Sequence, residues 1–159
     1  MEFGHHAIKE NKRYAYWYYT KLICEEVYGK NGEQYIAFTN IVKCNASLGS
    51  DKTTKNTKDC CIRKFQVLKQ EIEVLKPNII IFYTSWDYDN YLDDILGCLS
   101  IKEKRKSTKT IGSYEIPWMD VEASLNGELI HILRTGHPER KNKKEFVNAV
   151  QDWIKSICI

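Results

Sequence analysis

The sequence predicts an α/β domain, a three-layer sandwich whose mostly parallel central sheet is flanked by helices. Three observations predict it. Helical and strand patterns alternate along most of the chain, the order expected when helices cover both faces of a parallel sheet. Asn78-Ile-Ile-Ile-Phe-Tyr83 is a continuous apolar run of strand length, the pattern of a strand buried on both faces. Ahead of it, Cys61, Phe65, Leu68, Ile72 and Leu75 recur at steps of four and three. That is one apolar helical stripe, and Pro77 stops it because its ring cannot continue a helix.

The remaining elements follow in order. From about Ala7 to Tyr28 apolar residues return at helical spacing, among them Ala15, Tyr19, Leu22, Ile23 and Val27. Gly29 and the Asn31-Gly32 pair end that helix. Gln34 to Val42 reads as a short buried strand rich in β-formers. Asn45 to Lys58 is a polar loop, of a length that in a compact domain is usually functional or disordered. After the Asn78 run come a short helix from about Ser85 to Leu96 and a basic solvated connection, Lys102 to Lys109. Two further strands are expected, Ser113 to Met119 and Glu128 to Arg134, the second entered through an Asn126-Gly127 turn. A closing helix from about Lys143 to Ile157 turns Phe146, Val150, Trp153 and Ile157 inward.

With 159 residues and neither an internal repeat nor a composition break, residues 1–159 form one domain. It begins with a helix where doubly wound domains begin with a strand, so either a first strand is missing or the sheet is smaller than usual. A formal charge of +3 with 43% apolar residues describes an ordinary soluble protein that tolerates a nucleic-acid partner without demanding one. No apolar run approaches the roughly 18 residues that cross a bilayer. No secretion signal is evident, and the six cysteines accompany enough core-forming residues not to be needed as disulfides, so a reduced cytoplasmic setting is expected. No glycine-rich phosphate loop follows any strand, which argues against a nucleotide-binding α/β domain.

Three segments in sequence carry a resemblance. Phe38-Thr-Asn-Ile-Val-Lys-Cys44 is one. Cys60 with the helix and strand Phe65 to Ile81, containing Leu75-Lys-Pro77, is the second, and Thr135-Gly-His-Pro138 the third. Together they resemble the uracil-DNA glycosylase superfamily, in particular its family 4 type. The family's first motif, a glycine- and proline-containing loop that positions the attacking water, is not recognisable ahead of the first helix.

The resemblance implies a DNA glycosylase-like domain that recognises uracil or a related base in DNA and excises it. The alternative is a non-catalytic relative binding DNA or a protein partner through the same crevice. Asn40 is implied to read the base, since its amide offers both a donor and an acceptor to a uracil edge. His137 is the expected catalytic residue, donating a hydrogen bond to charge developing on the departing base. Both sit at the carboxyl ends of expected strands, where open α/β sheets bind ligands.

Arg140, Lys141 and Lys143 follow His137 and are expected to neutralise DNA phosphates. Tyr83, Trp86, Tyr88 and Tyr91 lie just past the central strand; one of them is expected to stack on a base, the others to be core. In the family an iron–sulfur cluster would take Cys44 and Cys60 as two of its four thiolates. The N-terminal Cys-x-x-Cys that supplies the others is not in this sequence, so no cofactor is expected unless residues outside this chain complete a [4Fe–4S] site.

Overall fold

The computed structural model of the chain describes residues 14–43 and 53–157. Helix α1 runs Ala15–Tyr28 and is followed by a single 3-10 turn, Gly32–Tyr35. A short helix α2, Lys55–Asp59, continues through a wide turn at Cys60–Lys64 and leads to α3, Val67–Leu75. Strand β1 is Ile79–Tyr83 and α4 is Leu92–Ile95, entered through a 3-10 turn at Asp89–Tyr91. Strands β2 (Ser100–Ile111), β3 (Tyr114–Leu125) and β4 (Glu128–Thr135) then precede the closing helix α5, Lys143–Ile157.

The class is α/β, and the sheet is mixed rather than mostly parallel. Its four strands lie in the order β1-β4-β3-β2. Only β1 and β4 run parallel, in register Ile79↔His131 to Tyr83↔Thr135, while β2·β3 and β3·β4 are antiparallel. The connections dictate this: parallel neighbours need a long crossover, and two-residue links join only antiparallel strands. Asn126 and Gly127 both hold positive φ, 53° and 91°, the backbone of a tight hairpin turn. The link from β2 to β3 is equally short, with Gly112 at φ 62°.

Further sequence expectations are corrected. Lys102 to Lys109 is not a solvated connection but the middle of β2, pairing with β3 along its length. As the edge strand it is exposed from Ser100 to Thr108, so it carries no alternating pattern, and edge lysines discourage pairing with other chains. Gln34 to Val42 forms no rung of the sheet; it starts in the 3-10 turn and continues as an extended segment. Side chains hold that segment instead. Phe38 packs edge-on against Trp17, with centroids 5.0 Å apart. Glu71 on α3 accepts from the Thr39 hydroxyl at 2.8 Å and pairs with Lys43 at 2.7 Å.

Another correction is the stripe from Cys61 to Leu75, which is interrupted. Gln66 takes the left-handed conformation at φ 52° and separates the wide turn from α3, leaving Phe65 and Leu75 exposed. The helical path also begins earlier than expected, where the Thr54 hydroxyl accepts the Thr57 N–H at 3.2 Å, a side-chain cap. In the same way the helix expected over 85–96 shrinks to the 3-10 turn and α4. The expected residues 7–13 of the first helix lie outside the described residues.

Alternation along the strands sends side chains to two separate cores. Ile130 and Ile132 of β4 join Val121 and Ala123 of β3, with Leu68 and Ile72 of α3 and Leu92 and Ile95 of α4. Leu133 and Trp118 join Ile23 of α1 with Phe146, Val150, Trp153 and Ile154 of α5. Each such large apolar side chain contributes about 1.5–3 kcal/mol of transfer free energy before the cost of ordering it.

Polar links fix α1 and α5 on their face. Gln151 donates to the Leu22 carbonyl at 3.2 Å, and Lys155 pairs with Glu26 at 2.8 Å. Asp120 accepts from the Trp153 indole at 3.0 Å and from Arg105 at 2.9 Å, tying helix, central strand and edge strand together. Asn142 caps α5 through the Glu145 N–H at 3.2 Å.

Gly32 is required by close approach. It is buried where the chain folds back on α1, and a Cβ there would overlap the Cys24 carbonyl. Because the obstacle is backbone, Gly32→Ala is expected to cost about 1–3 kcal/mol. Urea denaturation of the two proteins measures it, and an unchanged midpoint would show that the turn relaxes freely.

Candidate functional site

The parallel pair β1·β4 creates one place where two strands end side by side, pointing the same way. The chain leaves β1 through Thr84-Ser85 and leaves β4 through Gly136-His137, and the Ser85 N–H donates to the Thr135 carbonyl at 2.9 Å. At this end lies a cleft of about 460 Å³, well within the range of small-ligand sites. Its walls come from four parts of the fold: Tyr16 of α1, the extended segment Thr39–Lys43, the end of β1 with Thr84 and Tyr88, and His137. Asn40 and His137 therefore share one cleft, although 96 positions of sequence separate them.

His137 is half exposed. Its Nδ1 accepts the Glu139 backbone N–H at 3.2 Å, so in the neutral ring the proton resides on Nε2, which is left as a donor. The Tyr16 ring lies parallel to the imidazole, with planes 12° apart and centroids separated by 5.9 Å. Burial holds the imidazole below its ordinary value; Glu139 opposes this and Lys141 adds to it.

Tyr16 is the centre of an aromatic cluster. It meets Trp17, Phe38 and Tyr83 edge-on, at centroid distances of 4.7, 6.2 and 5.7 Å. Tyr83 and Tyr88 both line the cleft, and the Lys58 ammonium lies 4.6 Å from the Tyr88 ring.

A buried ion pair supports the loop after β1. Arg134, a β4 residue only 2% exposed, donates to Asp89 at 2.8 Å. Phe82 and Met119 are its cross-strand neighbours. The Thr84 and Thr135 hydroxyls, also buried here, have no hydrogen-bond partner among the described residues.

Arg140 and Lys141 border a second, adjoining cleft that also includes His137. Lys143 stands apart at the start of α5, its ammonium 5.2 Å from the Tyr18 ring. Of the four aromatics after β1, Tyr83 and Tyr88 line the first cleft, Trp86 the second, and Tyr91 is core. Sequence reasoning missed Tyr16 and the Arg134–Asp89 pair. The run Tyr14-Ala-Tyr-Trp-Tyr-Tyr19 was the available signal for Tyr16, since one helix face cannot bury so many rings.

Of the two cysteines that the resemblance assigns to an iron–sulfur cluster, Cys60 lies among the described residues and is half-buried. Cys44 lies outside them, and among them no three His, Cys, Asp or Glu side chains converge. Cys24 and Cys61 are buried. Burial, helped by the Glu33 and Glu25 carboxylates, pushes the Cys24 thiol up to about 12. Among the described residues no helix is long and apolar enough to cross a membrane. No protein-family model matches the chain, and neither a curated protein nor a solved structure is significantly similar to it.

Proposed function

We propose that the chain is a DNA glycosylase-like domain that recognises uracil or a related base in DNA and excises it. In this reading its helix-covered mixed sheet is a small variant of the three-layer glycosylase sandwich. One observation carries the proposal: Asn40 and His137, singled out for base reading and for charge stabilisation, line the same cleft at the carboxyl ends of the two parallel strands. A base turned out of its stack would enter between the aromatic walls. There the Asn40 amide matches the adjacent acceptor and N–H of the uracil edge. As the glycosidic bond breaks, negative charge builds on the departing base and the His137 Nε2–H stabilises it. Arg140, Lys141 and Lys143 would hold the flanking phosphates.

A second reading is favoured by a specific observation. Among the described residues no carboxylate lines the cleft, so none of them supplies a carboxylate to activate a water. A domain without one binds the base or a strand end and turns nothing over.

Incubation of a uracil-containing oligonucleotide with the wild type and with Asn40→Ala separates the two. Release of free uracil that falls by about tenfold or more in the variant, as expected for loss of a hydrogen-bonded reading group, supports the glycosylase. Binding without any release above background selects the second reading.

A further inference from the structure

A second cleft of about 320 Å³ opens on the far side of His137, so that the imidazole stands between two adjoining depressions. Trp86, Glu115, Glu139, Arg140 and Lys141 border it. We propose that this cleft binds the neighbouring nucleotide of a single-stranded nucleic acid, its base stacked on Trp86 and its phosphate held by Arg140 and Lys141. The proposal rests on the glycosylase reading only for what occupies the first cleft.

Trp86 is 58% exposed, whereas Trp118 and Trp153 are buried and Trp17 packs against Tyr16 and Phe38. Exposure of so large an apolar ring is costly unless something covers it. Nor does Trp86 sit on a loose loop. The Asp89 N–H donates to its carbonyl at 3.1 Å, the Ser85 N–H is held by Thr135, and Asp89 is anchored by buried Arg134. A ring carried on a fixed backbone loses less freedom when a base stacks on it than one on a loose loop.

Two cations border the same cleft. Arg140 takes a left-handed backbone, φ 61°, and makes no ion pair among the described residues. Lys141 is fixed through its backbone, whose carbonyl accepts from the Tyr19 hydroxyl at 3.1 Å, and its ammonium rests 5.1 Å from the Tyr114 ring.

The charge balance sets the footprint. Glu115 and Glu139 offset the two cations, so the cleft suits one base with one or two phosphates rather than a long polyanion. A duplex is excluded as the preferred partner, because its bases are stacked on both faces and offer none to Trp86.

The test uses fluorescence anisotropy of a labelled short oligothymidylate and of a duplex of equal length, with the full chain, Trp86→Ala and Arg140→Gln. Thymine carries no uracil to release, so binding is read independently of catalysis. Trp86→Ala is expected to weaken single-strand binding about tenfold or more, with thermal unfolding unchanged. Arg140→Gln is expected to flatten the slope of log K against log salt by about 0.7, one phosphate's share on a single strand. Equal affinity for the duplex, or unchanged affinity in Trp86→Ala, would overturn the proposal. Trp86-dependent binding without uracil release would sink the glycosylase reading alone; uracil release with an unaltered KM in Trp86→Ala would sink this one alone.

Discussion

Asp89→Ala is expected to destabilise the fold by about 3–5 kcal/mol, the cost of leaving a buried charge without its partner. Arg134 sits on a central strand between Phe82 and Met119, at a position where its neighbours are apolar. Its Nη2 donates to Asp89 at 2.8 Å, while Nε and Nη1 find no partner among the described residues. Among the described residues the carboxylate is therefore the one charge paired with the guanidinium. Exposed ion pairs such as Arg63–Asp94 would cost under about 1 kcal/mol to break, because water replaces the partner.

Urea denaturation measures the difference, and the double variant Asp89→Ala/Arg134→Met sharpens it. Methionine fills much of the arginine's volume without its charge, so the double variant is expected to recover most of the loss. A single variant that loses less than about 1 kcal/mol would mean the guanidinium is solvated in the native state. The pair also bears on the two clefts, since Asp89 anchors the turn that carries Trp86 and Tyr88, one in each.

Nothing in the sequence announces this pair. Its members are 45 positions apart, and an arginine near the end of an apparent strand reads as surface. The elements that were legible are those whose burial imposes a period: the continuous apolar run of β1, the stripe of α5, and β4 beyond its Asn-Gly turn. β2 was illegible for the converse reason. An edge strand exposed on both sides has no buried face, and without one lysine and threonine carry no alternation. The extended segment carrying Asn40 was misread because its β-forming residues pack through side chains rather than through a ladder.

Asn40 and His137 line one cleft despite that misreading. Asn40 reaches the cleft from a loop rather than a strand end, and His137 comes from the end of a real strand parallel to β1. The break at Gln66 left no trace either, since glutamine is not a residue that marks a left-handed turn.

His137→Ala is expected to reduce uracil release by roughly 10²–10³-fold, the usual effect of deleting a donor to developing negative charge. Its pH dependence distinguishes a neutral donor from a charged one. Burial holds the imidazole below its ordinary value of about 6.5, so the neutral form, with Nδ1 occupied by the Glu139 N–H and Nε2 protonated, persists into mildly acidic solution. Protonation of Nδ1 would break that hydrogen bond and turn a fixed ring into a mobile one. Release is therefore expected to stay level from pH 8 down through the ordinary histidine value and to fall only below it.

The neighbours set the position of that inflection with opposite signs. Glu139 favours the charged ring, so Glu139→Gln should move the inflection to lower pH; Lys141 disfavours it, so Lys141→Gln should move it higher. Stability follows the same linkage. The unfolded chain takes up the proton more readily than the folded one, so this histidine's contribution is complete above the unfolded value and is lost as pH falls from there through the folded one. An inflection above the ordinary histidine value, or the two variants moving it in the reverse directions, would show that the imidazolium is the active form. The charge on the departing base would then be met by a full positive charge rather than by a preorganised dipole.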